Sequence, residues 1–447
     1  MALTGIQIYK MLPRTNCKDC GFPTCLAFAM KLAAKQVELA DCPHVSEESK
    51  AQLASSAAPP IRLINLKSNG HKVRAGNEVV LFRHEKTFYH KPGLFVRITD
   101  DKPADLIKKK IAPAEAYQVD YVGLDLSLDG FAVESVMGNG NSFAEAIKGV
   151  QEVSHRPLIL MSHNPDVMAE GLKVTTAQSP LIYAANADNW QEMAQLAKQH
   201  KAALVVSAAS LDELAGLTEK IKGAGVEDMV LEPLTNNMSE QLILNTQLRR
   251  LALKKNFRPL GYPLFTNCAH NEDVAYESLQ ATQAIAKYAG FVVIDHFAPE
   301  HIYPLLVLRQ NIYTDPQKPI QVQPGLYEIN NPAPDDPLLV TTNFSITYFS
   351  VANEVEGAGL RAWLLVADAE GMSVLTAWAA GKFDAERIAK DVKGFAVADK
   401  LNHKRIVLPG HVAVLSGELE EELPGWEVSV GPREAVDLPA YMKQVLI

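Results

Sequence analysis

Apolar runs of strand length alternate with helix-patterned stretches along most of this 447-residue chain. Through the middle, eight runs predict strands: Val79–Phe82, Tyr121–Leu124, Leu158–Met161, Leu181–Ala184, Ala203–Val206, Met229–Leu231, Tyr262–Phe265 and Val292–Ile294. Between them, Ala144–Val153, Trp190–His200, Leu211–Ala224, Met238–Lys254 and Asp273–Tyr288 place apolar residues at helical intervals. Eight alternating units over about 270 residues predict a TIM (β/α)8 barrel rather than an open sheet.

The alternation restarts near the carboxyl end. Pro337–Thr342 and Ala362–Asp368 read as strands, Ile346–Val355 and Ser373–Ala380 as helices. Arg405–Leu408 then leads through Val412–Leu423 to Glu427–Val430, and Tyr441–Leu446 closes the chain. This predicts a doubly wound, Rossmann-like α/β domain whose strand-end loops form a ligand crevice. Those loops are Thr342–Ser345, Ala369–Ser373, Pro409–His411 and Gly431–Glu434. Gly371 and Gly431 each follow a strand-like run, where a missing side chain lets backbone approach a large planar ligand; plain turn glycines are the equal alternative. Gly357 and Gly359 form G-x-G at the end of a helix-like run rather than after a strand, so no dinucleotide fingerprint is present.

The front of the chain changes the picture through its chemistry. Cys17, Cys20, Cys25 and Cys42 crowd the first tenth, and only Cys268 follows. The spacing C-x2-C-x4-C-x16-C, ending in Cys42-Pro43 with Gly21 and Pro23 inside, wraps three thiols on a short loop and returns a fourth after the helix-patterned Leu26–Ala40. A 4Fe-4S cluster needs such a shell of four thiolates. Zinc is the alternative, although its sites usually present two close pairs. A disulfide framework needs an oxidising compartment, and the opening MALTGIQIYKMLPRT has no apolar signal-peptide core. Cys268 reads as an isolated buried thiol.

Two breaks divide the chain: ASSAAPP at 54–60 and NNPAPDDP at 330–337. Expected domains are a cluster module over 1–57, a barrel over 58–326 and a ligand-binding domain over 327–447. The second break reads as a proline-stiffened hinge on which the last domain swings. With 47% hydrophobic residues and a net charge of -9, the chain supports sizeable cores and a soluble, cytoplasmic protein with protein or small-molecule partners. No apolar run approaches a membrane span, and no basic block indicates nucleic acid. Asp125, His163, Asn186, Ser207, Glu232, Asn267 and Asp295 end candidate barrel strands and would gather at one rim. Polar residues end most strands, and neither these nor the pairs Asp295-His296 and Cys268-His270 form a recognisable catalytic constellation, so no catalytic residue is assigned.

These residues resemble a known family, the large (gamma) subunit of the corrinoid iron-sulfur protein of the acetyl-CoA (Wood-Ljungdahl) pathway. The likeness covers the whole chain. It is carried by TNCKDCGFPTCLAFAMKLAAKQVELADCP, GYPLFTN, TTNFSITYFSVANEVE, ADAEGMSVLTAW and GWEVSVGPREA in that order.

The resemblance implies an α/β multidomain protein: a small N-terminal iron-sulfur module, a central barrel and a C-terminal corrinoid-binding domain. It further implies a methyl-group carrier that takes a methyl group from methyltetrahydrofolate, through a separate methyltransferase, onto cob(I)amide and gives it to acetyl-CoA synthase. The 4Fe-4S cluster, on Cys17, Cys20, Cys25 and Cys42, would reductively reactivate cob(II)amide. Such a chain is a component of methyl transfer rather than a self-contained enzyme, and its barrel would dock on a smaller barrel subunit as a heterodimer. The D-x-H-x-x-G motif that ligates cobalt in many cobalamin proteins is absent, which fits base-off binding of the cobamide. By loop position, corrinoid contacts are expected at Thr342, Asn343, Ile346, Thr347, Glu370, Gly371, Met372, Ser373, Val374, Gly410, Gly431, Pro432 and Arg433. The rival reading is an iron-sulfur electron-transfer protein with a flavin or nicotinamide in the last domain.

Overall fold

The computed structural model describes residues 5–33, 37, 39–46, 49, 59–121, 124–175, 178–269, 272–315 and 320–446. The chain forms two compact units, Met1–Tyr117 with Ser127–Tyr313 and Gln118–Leu126 with Thr314–Ile447.

The first unit opens with helices α1 (Gly5–Met11) and α2 (Cys25–Ala33). They share a small core in which Ile8, Leu12, Phe28, Ala29 and Val45 surround Cys25 and Cys42. The expected helix Leu26–Ala40 is described as far as Ala33; a 3-10 turn at Leu39–Asp41 then delivers Cys42, and residues 34–36 and 38 lie outside the described residues. Of the expected linker at 54–60, residues 54–58 also lie outside them.

An antiparallel hairpin, β1 (Ile64–Ser68) and β2 (His71–Ala75), precedes the barrel. The barrel begins with β3 (Gly93–Thr99). A short pair, β4 (Gln118–Tyr121) and β5 (Leu124–Ser127), interrupts it, and β6 (Gly130–Glu134), β7 (Leu158–Met161), β8 (Leu181–Ala185), β9 (Ala203–Ala208), β10 (Met229–Pro233), β11 (Leu264–Asn267) and β12 (Ala289–Ile294) complete it. Every adjacent pair is parallel, and the closed order is β10-β11-β12-β3-β6-β7-β8-β9.

Alternation along each strand decides what fills the lumen. Phe95, Ala132, Ile159, Leu181, Val205, Val230, Phe265 and Phe291 point inward, small beside large, and the hairpin's Ile64, Leu66, Val73 and Ala75 join them. Val73 lies against Gly93 and Ala75 against Gly290, so the hairpin plugs the N-terminal ends of the strands. Gly130 is required here: a Cβ on it would meet the Pro157 carbonyl oxygen at 2.1 Å and the Phe95 ring at 2.6 Å.

Six of the eight expected barrel strands form, and the first two do not. Val79–Phe82 is a loop held by Arg249, which donates to the Val80 carbonyl oxygen at 2.9 Å, while Val79 and Phe82 stay exposed. Tyr121 and Leu124 belong to the β4/β5 pair, which also removes Asp125 from the expected rim. Their places are taken by β3 and β6, whose glycine starts and inward-facing Arg97 and Glu134 broke the apolar signal.

At the open end, Glu232 is 7% exposed and accepts a hydrogen bond from the Ser207 hydroxyl at 2.6 Å. Burial pushes its carboxyl up to about 7, against hydrogen bonds from Ser207 and Tyr183 that pull it down. A folded value above the ordinary 4.5 means that the stabilising contribution is complete below about 4.5 and lost as pH rises through about 7. The loss is on the order of 3 kcal/mol. Denaturant titrations across that window are expected to show the decline and Glu232→Gln to flatten it; an unchanged pH slope in the variant would reject the assignment.

The second unit is a five-stranded sheet of β13 (Gly325–Ile329), β14 (Leu338–Thr342), β15 (Ala362–Ala367), β16 (Arg405–Leu408) and β17 (Glu427–Val430), in the order β13-β15-β14-β16-β17. All neighbours are parallel except β13, which pairs antiparallel with β15. One face packs Leu338, Val340, Leu365 and Ile406 under Phe383, Ile388 and Val392; the other packs Leu339, Leu364 and Val407 under Val355 and Leu438. Helices on both faces make the sheet doubly wound, with the order reversing between β14 and β16.

The expected hinge at 330–337 is corrected by this sheet: it is the connection between β13 and β14, inside one unit. Asn330 donates to the Leu360 carbonyl oxygen at 2.7 Å, Trp363 to that of Ala333 at 2.9 Å, and Asn402 to that of Pro334 at 3.0 Å. Prolines there shape a strand-to-strand turn rather than a joint between domains.

Candidate functional site

At the N-terminal thiols, local backbone conformation does the positioning. Arg14, Asn16, Lys18 and Gly21 all take positive φ, curling the loop that carries Cys17 and Cys20. The Asn16 side chain accepts the Cys25 N–H at 2.8 Å and so ties that loop to the start of α2. Cys25 and Cys42 are buried in one apolar core, Cys20 packs against it half-buried, and Cys17 is exposed at its edge. Three of the four expected ligands therefore belong to one small core, and the fourth is three residues from Cys20.

Outside the core, a Cys17 sulfur, an Asp19 carboxylate oxygen and a His44 ring nitrogen lie within 4.8 Å of one another. His44 and Asp19 are 2.5 Å apart, and bonds to His44 and then Cys17 hold the Asp19 carboxyl below its usual range. Sequence reading missed this pair; His44, two residues after Cys42, was the available signal. Cys268 is fully buried, and burial pushes its thiol well up, as an inert structural cysteine requires. His270 lies outside the described residues.

The second site lies in the C-terminal unit. A cavity of about 470 Å³ opens between β14 and β16, where the strand order reverses. Leu339, Thr341, Val407 and Leu408 form its floor, and the helix Ser345–Gly357 forms one wall. The volume is ordinary for a small-ligand site. At the end of β14 the Thr341 and Thr342 hydroxyls are buried without a hydrogen-bond partner, which leaves polar capacity beside an apolar floor. Gly410 allows the adjoining loops to close up: a Cβ there would meet the Gly431 carbonyl oxygen at 2.6 Å.

Of the thirteen expected contact residues, Ile346, Thr347, Ser373, Val374, Gly431, Pro432 and Arg433 line the cavity. The others take different places. Asn343 is buried, and its side-chain Oδ1 accepts the N–H groups of Ala369 and Gly371, each at 2.9 Å, while its side-chain Nδ2 reaches Gln321 and Asp368. It organises the loop after β15 rather than facing the cavity. Glu370 turns to Lys382 at 2.7 Å, Gly371 lies against the Gln321 side chain, and Met372 packs on the core. Thr342, next to the lining residue Thr341, and Gly410, packed against Gly431 and Pro432, are not part of the lining.

Ser350, Val351 and Glu354 line the cavity and were not anticipated; His411 and Glu434, in loops expected to form the crevice but not among the thirteen contacts, line it too. The signal was legible: Ile346, Ser350 and Glu354 recur at four-residue intervals, as do Thr347 and Val351, so they share one helix face.

Two family profiles match the chain. A profile described as "Putative Fe-S cluster" matches residues 12–44, and one described as "CO dehydrogenase/acetyl-CoA synthase delta subunit" matches residues 64–442. The corrinoid/iron-sulfur protein large subunit of Moorella thermoacetica is 42% identical over 445 residues, covering 99% of each chain. The chain belongs to the corrinoid/iron-sulfur protein large-subunit family. The family extends to archaea: the acetyl-CoA decarbonylase/synthase complex subunit gamma of Archaeoglobus fulgidus is 34% identical, covering 98% of this chain and 97% of its own. No helix among the described residues is long and apolar enough to cross a membrane.

Proposed function

We propose that this chain carries methyl groups on a base-off corrinoid held in its C-terminal unit, accepting them from methyltetrahydrofolate through a separate methyltransferase and passing them to acetyl-CoA synthase. The observation that carries this reading is the cavity at the strand-order reversal, with its apolar floor and unpartnered threonine hydroxyls. A large planar ligand buries apolar faces and leaves a polar periphery, which is the lining found there.

When bound, the corrinoid supplies a cobalt centre for methyl transfer, and a 4Fe-4S cluster supplies low-potential electrons to restore it. The chain's own residues bind and orient. Cys17, Cys20, Cys25 and Cys42 hold the cluster, and the apolar packing of Cys25 and Cys42 limits water at its inner side. Ile346, Thr347, Ser373, Val374, Gly431, Pro432 and Arg433 would contact the corrinoid, Thr342 and Gly410 would support it, and Asn343 fixes the Glu370–Met372 turn. Arg433 would offer a positive charge to the polar periphery of such a ligand. Division into cluster module, barrel and corrinoid domain gives each cofactor its own support, with a smaller barrel subunit as heterodimer partner of the barrel.

The absorption spectrum of anaerobically purified protein tests this reading. Corrinoid bands together with iron-sulfur absorption are expected. Flavin bands, or iron-sulfur absorption alone after incubation with a cobamide, would replace the carrier with an electron-transfer or scaffold protein.

A further inference from the structure

The open end of the barrel holds a second polar constellation that methyl carriage does not use. It has two halves. In the first, Arg97 lies between Glu134 at 2.7 Å and Asp295 at 3.3 Å, and Lys110 also reaches Asp295 at 3.3 Å, so charge is balanced. These side chains are between 15% and 23% exposed, apart from Lys110 at 44%, so solvent reaches the mouth.

The second half is unbalanced. Glu232, on β10, is 93% buried by its 7% exposure and faces the Ser207 and Tyr183 hydroxyls; among the described residues no cation pairs with it. On the adjacent β11, the Asn267 carbonyl oxygen accepts the Ala269 N–H at 3.1 Å. That bond fixes the amide's orientation, and it leaves the buried Asn267 Nδ2 with no acceptor. A carboxyl short of N–H donors therefore sits on the strand next to an N–H group short of an acceptor. Both follow the inward alternation of Val230 and Phe265. Tyr183, whose hydroxyl meets Glu232, sets its ring 5.2 Å from Phe265 and 5.3 Å from His163. Buried polar atoms without partners are costly, and a complementary ligand removes the cost.

We infer that the C-terminal mouth of the barrel binds a planar nitrogen heterocycle of the aminopyrimidinone type, its N–H donors on Glu232, its ring acceptor on Asn267 Nδ2 and its face against Tyr183. This site belongs to the barrel unit and is independent of the corrinoid assignment.

Equilibrium dialysis of the full-length, cofactor-loaded protein against pterin, a bicyclic aminopyrimidinone, tests it. Saturable one-site binding is expected. Lumazine replaces the exocyclic amine with a carbonyl and turns an acceptor toward Glu232, so it should bind at least about tenfold more weakly. Glu232→Gln and Asn267→Leu should each weaken pterin binding by about tenfold or more while iron and cobalt contents stay at wild-type levels. No saturable pterin binding by the unmutated protein, equal binding of lumazine, or unchanged binding in both variants would overturn the inference. The pterin and lumazine comparison decides it even if a variant fails to fold.

Discussion

Cys20→Ala is expected to abolish the iron-sulfur absorption of the protein while leaving its corrinoid content unchanged. Cys20 packs at the edge of the N-terminal core, whereas Cys25 and Cys42 are inside it, so losing this thiol removes a ligand without hollowing the core. A four-thiolate cluster site would be left with three ligands. The cavity assigned to the corrinoid lies in a separate compact unit with its own hydrophobic cores. Loss of the cluster should therefore slow return of oxidised cobalt to the methyl-accepting state, on the order of tenfold or more with a low-potential donor, because the low-potential relay is gone. Anaerobic stopped-flow reduction, with iron and cobalt measured on the same sample, reads both effects. Full-speed reactivation by a cluster-free variant would remove the electron-transfer role.

The second large effect is expected at Asn343. Asn343→Leu removes the acceptor for the Ala369 and Gly371 N–H groups and leaves both buried. Each stranded group costs about 1 to 3 kcal/mol, so the C-terminal unit should lose about 2 to 6 kcal/mol of stability, and corrinoid retention should fall with it. Thr342→Val is the contrast. Its hydroxyl is buried without a partner, so its replacement strands nothing and should leave the corrinoid-free protein as stable or up to about 1 to 3 kcal/mol more stable. Denaturant unfolding of the corrinoid-free full chain distinguishes the two. Equal, small effects would mean that Asn343 does not hold the loop.

Much of this architecture was legible because burial imposes period. Leu158–Met161 is apolar at every position, since a parallel strand inside a ring of helices is covered on both faces. β14, β15 and β16 stood out for the same reason. β3 and β6 did not, because residues at the open end of a barrel are polar and those at its crowded base are glycine. β13 was hidden differently. It is an antiparallel edge strand, only partly buried along most of its length, so its pattern, Gly-Leu-Tyr-Glu-Ile, carries little signal. The loop at 330–337 misled because proline marks a stiff turn and a domain linker alike.

The sites were legible to different depths. Cysteine spacing located the four thiols without any knowledge of the fold, since few alternatives explain such clustering. Loop position located the C-terminal crevice but not which atoms face it. Asn343 and Glu370 are polar loop residues whose partners, Gly371 and Lys382, become visible only when the chain is folded. The Glu232 and Asn267 pairing, across two adjacent strands, required the barrel's order.

One measurement bears most directly on an N-terminal cluster serving a C-terminal corrinoid: electron paramagnetic resonance of anaerobically prepared protein during stepwise reduction. The expected result is a cobalt(II) signal that vanishes as electrons enter, together with a reduced iron-sulfur signal, and persistence of the cobalt(II) signal in Cys20→Ala. A preparation reconstituted with iron, sulfide and cobamide that shows neither signal, or whose cobalt(II) is reduced identically in the variant, would contradict it.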